Sequence, residues 1–333
     1  MKNLEKNIGV DFEYGTLKEV IVGPPNMYMP KKLPAYLKDF LSEDAYQMYE
    51  KLAGSTVEKV YPEIHKKQVE QVDAVVELLR SRGVKVHVCE HLTEAEKKFG
   101  VNQVDSYQSN TYMRDAMVVI DNNFIETNMF DPGRRRDRFS IRRTLQERLK
   151  GSNAKIVAMP EPIIDWDGDS FADGIFLEGG DTFVLGKNIL VGNTGNASNT
   201  AGIEWLQNYL GEEYNVQEVR LSNNFVHLDC VLSTLRPGLA LIVKEAFLDG
   251  IPDLIKDWTF VDVSPEDAEK YLATNALVLD NKTVLMSASL GHISKEIRKH
   301  NHEVIEMPFD ALEWQGGSFR CWHHPLIREV NNN

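Results

Sequence analysis

The residues best suited to covalent chemistry are a cysteine, Cys321, placed after the pair Gly316-Gly317, and a histidine, His227, two positions before Asp229. A thiolate is a strong nucleophile, and an imidazole within reach can carry protons to and from the group it attacks. A glycine pair lets the backbone bring a side chain close to a ligand. Carboxylates accompany them: Asp115 follows Arg114, and Gly179-Gly180 separates Glu178 from Asp181. His227 and Asp229 read as positions two apart on a strand, which would turn both to one face. Cys89 lies in an apolar strand and Cys230 alternates with His227 and Asp229; both read as inert packing residues. His323 and His324 are adjacent, so on an extended chain they point apart and do not form a joint metal site.

What could bring these scattered side chains together is a recurring unit of β-hairpin, amphipathic helix and one more strand. Hairpins are expected at 117–126, 182–191, 231–243 and 276–286, with turns at Asp121-Asn122-Asn123, Gly186-Lys187-Asn188, Arg236-Pro237-Gly238 and Asp280-Asn281-Lys282. Helical stretches follow at 138–150, 200–210 and 294–300, and closing strands at 155–159, 216–221, 260–263 and 303–307. The opening of the chain supplies a further copy, with strands at 17–22 and 85–89 and a helix at 63–82. Its missing hairpin partner is sought near 319–322. Five such units with interlocked ends predict a closed α/β ring, in preference to an open sheet, and one catalytic domain over residues 1–333. In that ring Arg114 and Asp115, Glu178 and Asp181, His227 and Asp229, and Asn275 each stand just before the first strand of a unit. They would converge with Cys321 on the central axis.

The remaining sequence sets limits. An apolar fraction of 42% over 333 residues fills a sizeable core, and no run of about 18 apolar residues suggests a membrane span. The charged start lacks an apolar signal region, and three cysteines without metal-type spacing fit a reduced cytoplasm. A net charge of −13 disfavours nucleic acid and anionic membranes as partners and attracts cationic small molecules. The basic run Arg134, Arg135, Arg136, Arg138, Arg142 and Arg143 reads as a solvated loop entering a helix whose arginines pair with acids.

Taken in order, these motifs resemble those of the guanidino-group modifying enzymes: amidinotransferases, arginine and agmatine deiminases, and dimethylarginine hydrolases. The likeness runs from about Glu13 to Arg328. It includes the opening Phe12-Glu13-Tyr14-Gly15-Thr16-Leu17, the stretch Asn199-Thr200-Ala201-Gly202-Ile203-Glu204-Trp205-Leu206, Met113-Arg114-Asp115, His227-x-Asp229, and Gly316-Gly317-x-x-x-Cys321. The resemblance implies a five-bladed α/β propeller, the pentein fold, without metal or organic cofactor. It also implies roles: Cys321 as nucleophile, His227 as proton carrier, Glu178 as second catalytic carboxylate and Asp115 as guanidinium ligand. Asp229 would orient the imidazole or bind another N–H. Arg114, Asp181 and Asn275 are grouped with the substrate-binding residues.

The longer stretches favour the amidinotransferase branch of glycine and inosamine-phosphate type, with a guanidine donor, an amine acceptor and a homodimer. A deiminase or hydrolase using water is the alternative. Two departures point toward it: Glu178 stands where amidinotransferases carry Asp, and His324-Pro325-Leu326-Ile327-Arg328 looks deiminase-like. The arginine that grips a carboxylate in glycine-using relatives falls at Ala246 by count, which favours an amine, polyamine or sugar-type acceptor.

Overall fold

The computed structural model describes residues 7–33, 37–40, 43–98, 108–162 and 174–330. The predicted hairpins form where β-branched and aromatic runs flank short polar turns, and each recruits a third strand. Five three-stranded sheets result, matching the expected five-bladed propeller. In four of them the strands are consecutive: Met117–Ile120, Asn123–Glu126 and Lys155–Ala158; then Thr182–Leu185, Asn188–Asn193 and Asn215–Arg220. The next two are Leu232–Arg236, Leu239–Ile242 and Thr259–Asp262, and Leu277–Asp280, Thr283–Ser287 and Glu303–Met307. Each middle strand pairs antiparallel with the first and parallel with the third.

The parallel step needs a crossover, and helices supply it in most blades. They span Pro62–Ser81, Asp137–Leu149, Thr200–Leu210 and Gly291–Arg298. Local chemistry starts them. Pro62 occupies the first turn of its helix, and the Asn199 side chain accepts from Gly202 N at 2.9 Å. Val72, Val75, Val76 and Leu79 recur at spacings of three, one and three, keeping one buried face on the long helix. The blade from Leu232 departs from the pattern. Among the described residues its crossover holds a 3-10 turn, Lys244–Ala246, and its α-helix, Pro265–Tyr271, comes after the third strand. No described helix is long and apolar enough to cross a membrane.

The remaining blade uses both ends of the chain. Thr16–Val22 is its middle strand, parallel to Lys85–Val88 and antiparallel to His323–Glu329. The C-terminal partner therefore begins just past the expected 319–322, because Phe319–Trp322 coils into a helical turn instead. That turn is fixed by Trp322, fully buried, whose indole Nε1 donates to Gly23 O at 2.8 Å. Trp322 stacks edge-on to Phe309 with ring centroids 5.7 Å apart. Trp322→Ala should destabilise the fold by about 3–5 kcal/mol, the usual result of deleting a buried aromatic, as read by urea unfolding. A loss under about 1 kcal/mol would show that the closure does not rest on this side chain.

Candidate active site

The inner ends of the blades deliver the predicted cluster. A cleft of about 250 Å³ is lined by Tyr112, Asp115, Arg134, His227, Cys230 and Cys321, among others. Cys321 sits in the turn Phe319–Trp322, so its backbone is held from the adjoining blade. Its N–H donates to Asn275 Oδ1 at 3.0 Å, and Asn275 Nδ2 donates to its sulfur at 3.1 Å. The thiol lies 3.5 Å from Asp229 Oδ2. Burial, then the charge of Asp229, pushes the Cys321 thiol well above its ordinary value.

His227 occupies the other side of the polar cluster. Its Nε2 lies 2.8 Å from Glu178 Oε2, and its Nδ1 lies 3.9 Å from Asp115 Oδ1. Burial opposes a charged ring, but Asp115, the Glu178 hydrogen bond and Asp181 outweigh it and raise His227 to about 10. Asp115 accepts from Gly180 N at 3.0 Å and from Arg134 Nη1 at 2.7 Å. Burial disfavours its charge, yet His227 and Arg134 hold it below the usual carboxylate range. Glu178 accepts from Phe130 N at 2.7 Å through its second oxygen. Gly180 is required here: a Cβ would lie 2.7 Å from both Asp115 Oδ1 and the His227 ring.

Several expectations need correction. His227 and Asp229 do not alternate along a strand. Residues Leu228–Cys230 form a 3-10 turn, and it is this turn that splits the pair: His227 faces Glu178 and Asp115, while Asp229 faces Cys321 and Arg320. Asp229 is thus a neighbour of the thiol rather than of the imidazole. Arg114 and Asp181 do not line the cleft. Arg114 donates to Glu13 Oε1 at 2.8 Å and to Gly179 O at 3.0 Å. Asp181 accepts from Ser198 N at 3.1 Å and Leu228 N at 2.9 Å, and burial raises it to about 7. Both brace the loops that carry the site.

The basic run departs from the expected solvated loop at Arg135 and Arg136, while its helix does pair with acids as expected. Arg135 and Arg136 are buried and donate to Met129 O at 2.9 Å and Gly133 O at 3.2 Å, while Arg142 and Arg143 pair with Glu126 and Glu90. Arg134, at its head, lines the cleft and was the residue the sequence concealed, because nothing links its number to Asp115. Cys230, read as packing, also lines the cleft. Cys89 does pack in an apolar cluster. His323 and His324 turn to different carbonyls, Phe319 O and Arg114 O. Ala246 is buried in the hydrophobic core and is not among the described residues lining the cleft.

Asp115, Glu178 and His227 place donor atoms within 4.8 Å of one another, the spacing that could hold a metal ion. The set suits a planar cation with N–H donors better. Asp115 and Glu178 already accept directed hydrogen bonds from Gly180 N and Phe130 N, and their remaining lone pairs match further N–H donors.

A family model described as "N,N dimethylarginine dimethylhydrolase, eukaryotic" matches residues 39–328. Uncharacterized protein YkgA of Bacillus subtilis is 32% identical over 46% of this chain, a match that spans about half, 52%, of that relative. Mitochondrial glycine amidinotransferase of Gallus gallus is 25% identical over 93% of this chain and 80% of its own length. The structure of SxtG, an amidinotransferase of Microseira wollei in the saxitoxin biosynthetic pathway, superposes with a TM-score of 0.80 over 98% of both chains at 23% identity. The resemblance to the guanidino-group modifying enzymes drawn from the motifs is borne out.

The His227 cluster has a pH signature. A group raised in the folded protein contributes stability that is full below its unfolded value, 6.5, and is lost as pH rises through about 10. The excess thermal midpoint of wild type over His227→Gln should therefore shrink between those values. An excess that grows with pH would contradict the charged imidazole.

Proposed function

The chain belongs to the N,N dimethylarginine dimethylhydrolase family, and from that membership we propose that it acts at the central carbon of a guanidino group. The reaction is transfer of an amidino group from L-arginine or a related guanidine to an amine, a polyamine being one candidate. The observation that carries this reading is the shared cleft. It holds a thiol anchored by Asn275 and Asp229 opposite an imidazolium anchored by Glu178 and Asp115.

Asp115 and Glu178 present carboxylate oxygens to the N–H groups of the bound guanidinium and fix its plane. Entry of that positive charge favours loss of the Cys321 proton to solvent. The thiolate attacks the central carbon, forming a C–S bond. His227 gives its proton to the departing nitrogen as the C–N bond breaks, leaving an S-amidino cysteine and a neutral amine. The acceptor amine then attacks the same carbon and yields a proton to His227. The C–S bond breaks, and the thiolate and imidazolium are restored.

The cleft supports an amine acceptor. Among its described lining residues the cations are His227 and Arg134, and Arg134 is paired with Asp115. Asp131 and Glu269 add negative charge to the walls, which suits a cationic acceptor better than a carboxylate. Hydrolysis is a second reading, favoured by the family's description as a hydrolase; water would then attack the same intermediate.

The test is product analysis by mass spectrometry with L-arginine, alone and with amines, on wild type and Cys321→Ala. Ornithine formed only with an amine, alongside a new guanidine, is the expected result; release with water alone would make the protein a hydrolase. Turnover retained in Cys321→Ala would refute the thiol mechanism. Glu178→Gln should lower kcat by about 10²–10⁴. Asp181→Asn should lower the unfolding midpoint while leaving turnover per folded molecule within about tenfold; the reverse pattern would exchange the two roles.

A further inference from the structure

Next to the nucleophile in sequence stands a cation that the mechanism above does not use. Arg320 is buried, and its planar guanidinium lies 3.8 Å above the Phe183 ring. Nη1 donates to Asp229 Oδ2 at 3.0 Å and to Gly180 O at 3.1 Å. Nη2 donates to Thr182 O at 2.9 Å and pairs with Glu13 Oε2 at 3.3 Å. Four fixed partners and one ring face leave the group little freedom.

The oxygen of Asp229 that Arg320 holds is the same one that lies 3.5 Å from the Cys321 sulfur. A bare carboxylate at that distance opposes a thiolate by like-charge repulsion. A carboxylate already bonded to a guanidinium opposes it far less, and its orientation is set. We infer that Arg320 is a positioning residue that offsets the charge of Asp229 and aims its carboxylate, so that the Cys321 thiol can ionise. The inference rests on the proposed thiol chemistry but not on the identity of donor or acceptor.

Every other group near the thiol leaves this task open. Asp229, Asp115 and Cys230 all disfavour the thiolate, and Asn275 favours it through a neutral amide. Across the cleft, His227 and Arg134 are each engaged by carboxylates. Arg320 also interacts favourably with the Cys321 charge directly. It is therefore the cation whose partners connect it to the sulfur through a single carboxylate. Lysine could supply charge at this place but not the planar fork that reaches Asp229, Gly180 O and Thr182 O together.

The experiment is iodoacetamide alkylation of Cys321 in the full chain, followed by peptide mass spectrometry from pH 7 to 10, without substrate. The alkylation replaces the thiol proton, which passes to solvent, and releases iodide. Arg320→Gln should move the rate profile up by about one pH unit, a roughly tenfold slower reaction at fixed pH. Arg320→Lys should move it less. The double variant Arg320→Gln/Asp229→Asn should return toward wild type, since the opposing carboxylate is gone. Circular dichroism identifies the folded variants; if Arg320→Gln does not fold, Arg320→Lys and its Asp229→Asn partner carry the comparison. A folded single variant with an unshifted profile overturns the proposal, as does a shift that Asp229→Asn fails to reverse. Because no guanidine or amine is present, these outcomes are separate from those that decide between transfer and hydrolysis.

Discussion

A ring of blades leaves a row of backbone carbonyls at its axis with no neighbouring strand to bond them, and buried carbonyls without donors are costly. This protein answers with guanidinium groups. Arg114 reaches Gly179 O, Arg320 reaches Gly180 O and Thr182 O, and Arg328 reaches Gly15 O at 2.7 Å and Val278 O at 2.8 Å. Such charges need a counter-ion away from water, and Glu13 provides it. Burial opposes the Glu13 carboxylate, yet Arg114, Arg320 and Arg328 hold it far below the ordinary range. Arg328 is itself lowered to about 10 by burial and its cationic neighbours. Removing one partner of such a set is far more damaging than the set is stabilising.

The polar cluster of the cleft is built on that frame. Arg114 N donates to Cys321 O at 3.0 Å, Gly179 N donates to Asp115 O at 3.1 Å, and Asp229 N donates to Gly180 O at 3.2 Å. Each blade thus fixes the entry loop of another, and side chains far apart in sequence acquire defined separations. Glu178 and Asp181 show how finely this divides labour. Three positions apart on one glycine turn, one faces the imidazole while the other ties its loop to Ser198 and Leu228.

Much of this was legible in the sequence. Turn residues such as Asp121-Asn122-Asn123 and Gly186-Lys187-Asn188 sit between strands whose apolar side chains face the core, so the hairpins stood out. The interlocked ends followed from a unit missing one strand. What stayed hidden depends on tertiary bonds. Nothing in the run Arg134 to Arg136 reveals that one guanidinium meets Asp115 while the next two satisfy buried carbonyls. The 3-10 turn at Leu228–Cys230 defeats a period-two reading, because it rotates Asp229 away from His227. Arg114 and Asp181 stand just before the first strands of their units, like the residues of the cleft, yet that position does not fix where a side chain points.

The blade assembled from both chain ends has a consequence for how the protein comes into being. Trp322 and Gly23, which meet at its edge, are 299 positions apart. On a ribosome the strand Thr16–Val22 emerges early and stays without its antiparallel partner until nearly the whole ring has been made, and such long-range pairing is slow and exposed to misassembly. Cys321 belongs to the segment that completes it. An incomplete nascent chain therefore carries the carboxylates and the imidazole of the cleft without Cys321, so the cluster is completed together with the seam that finishes the fold.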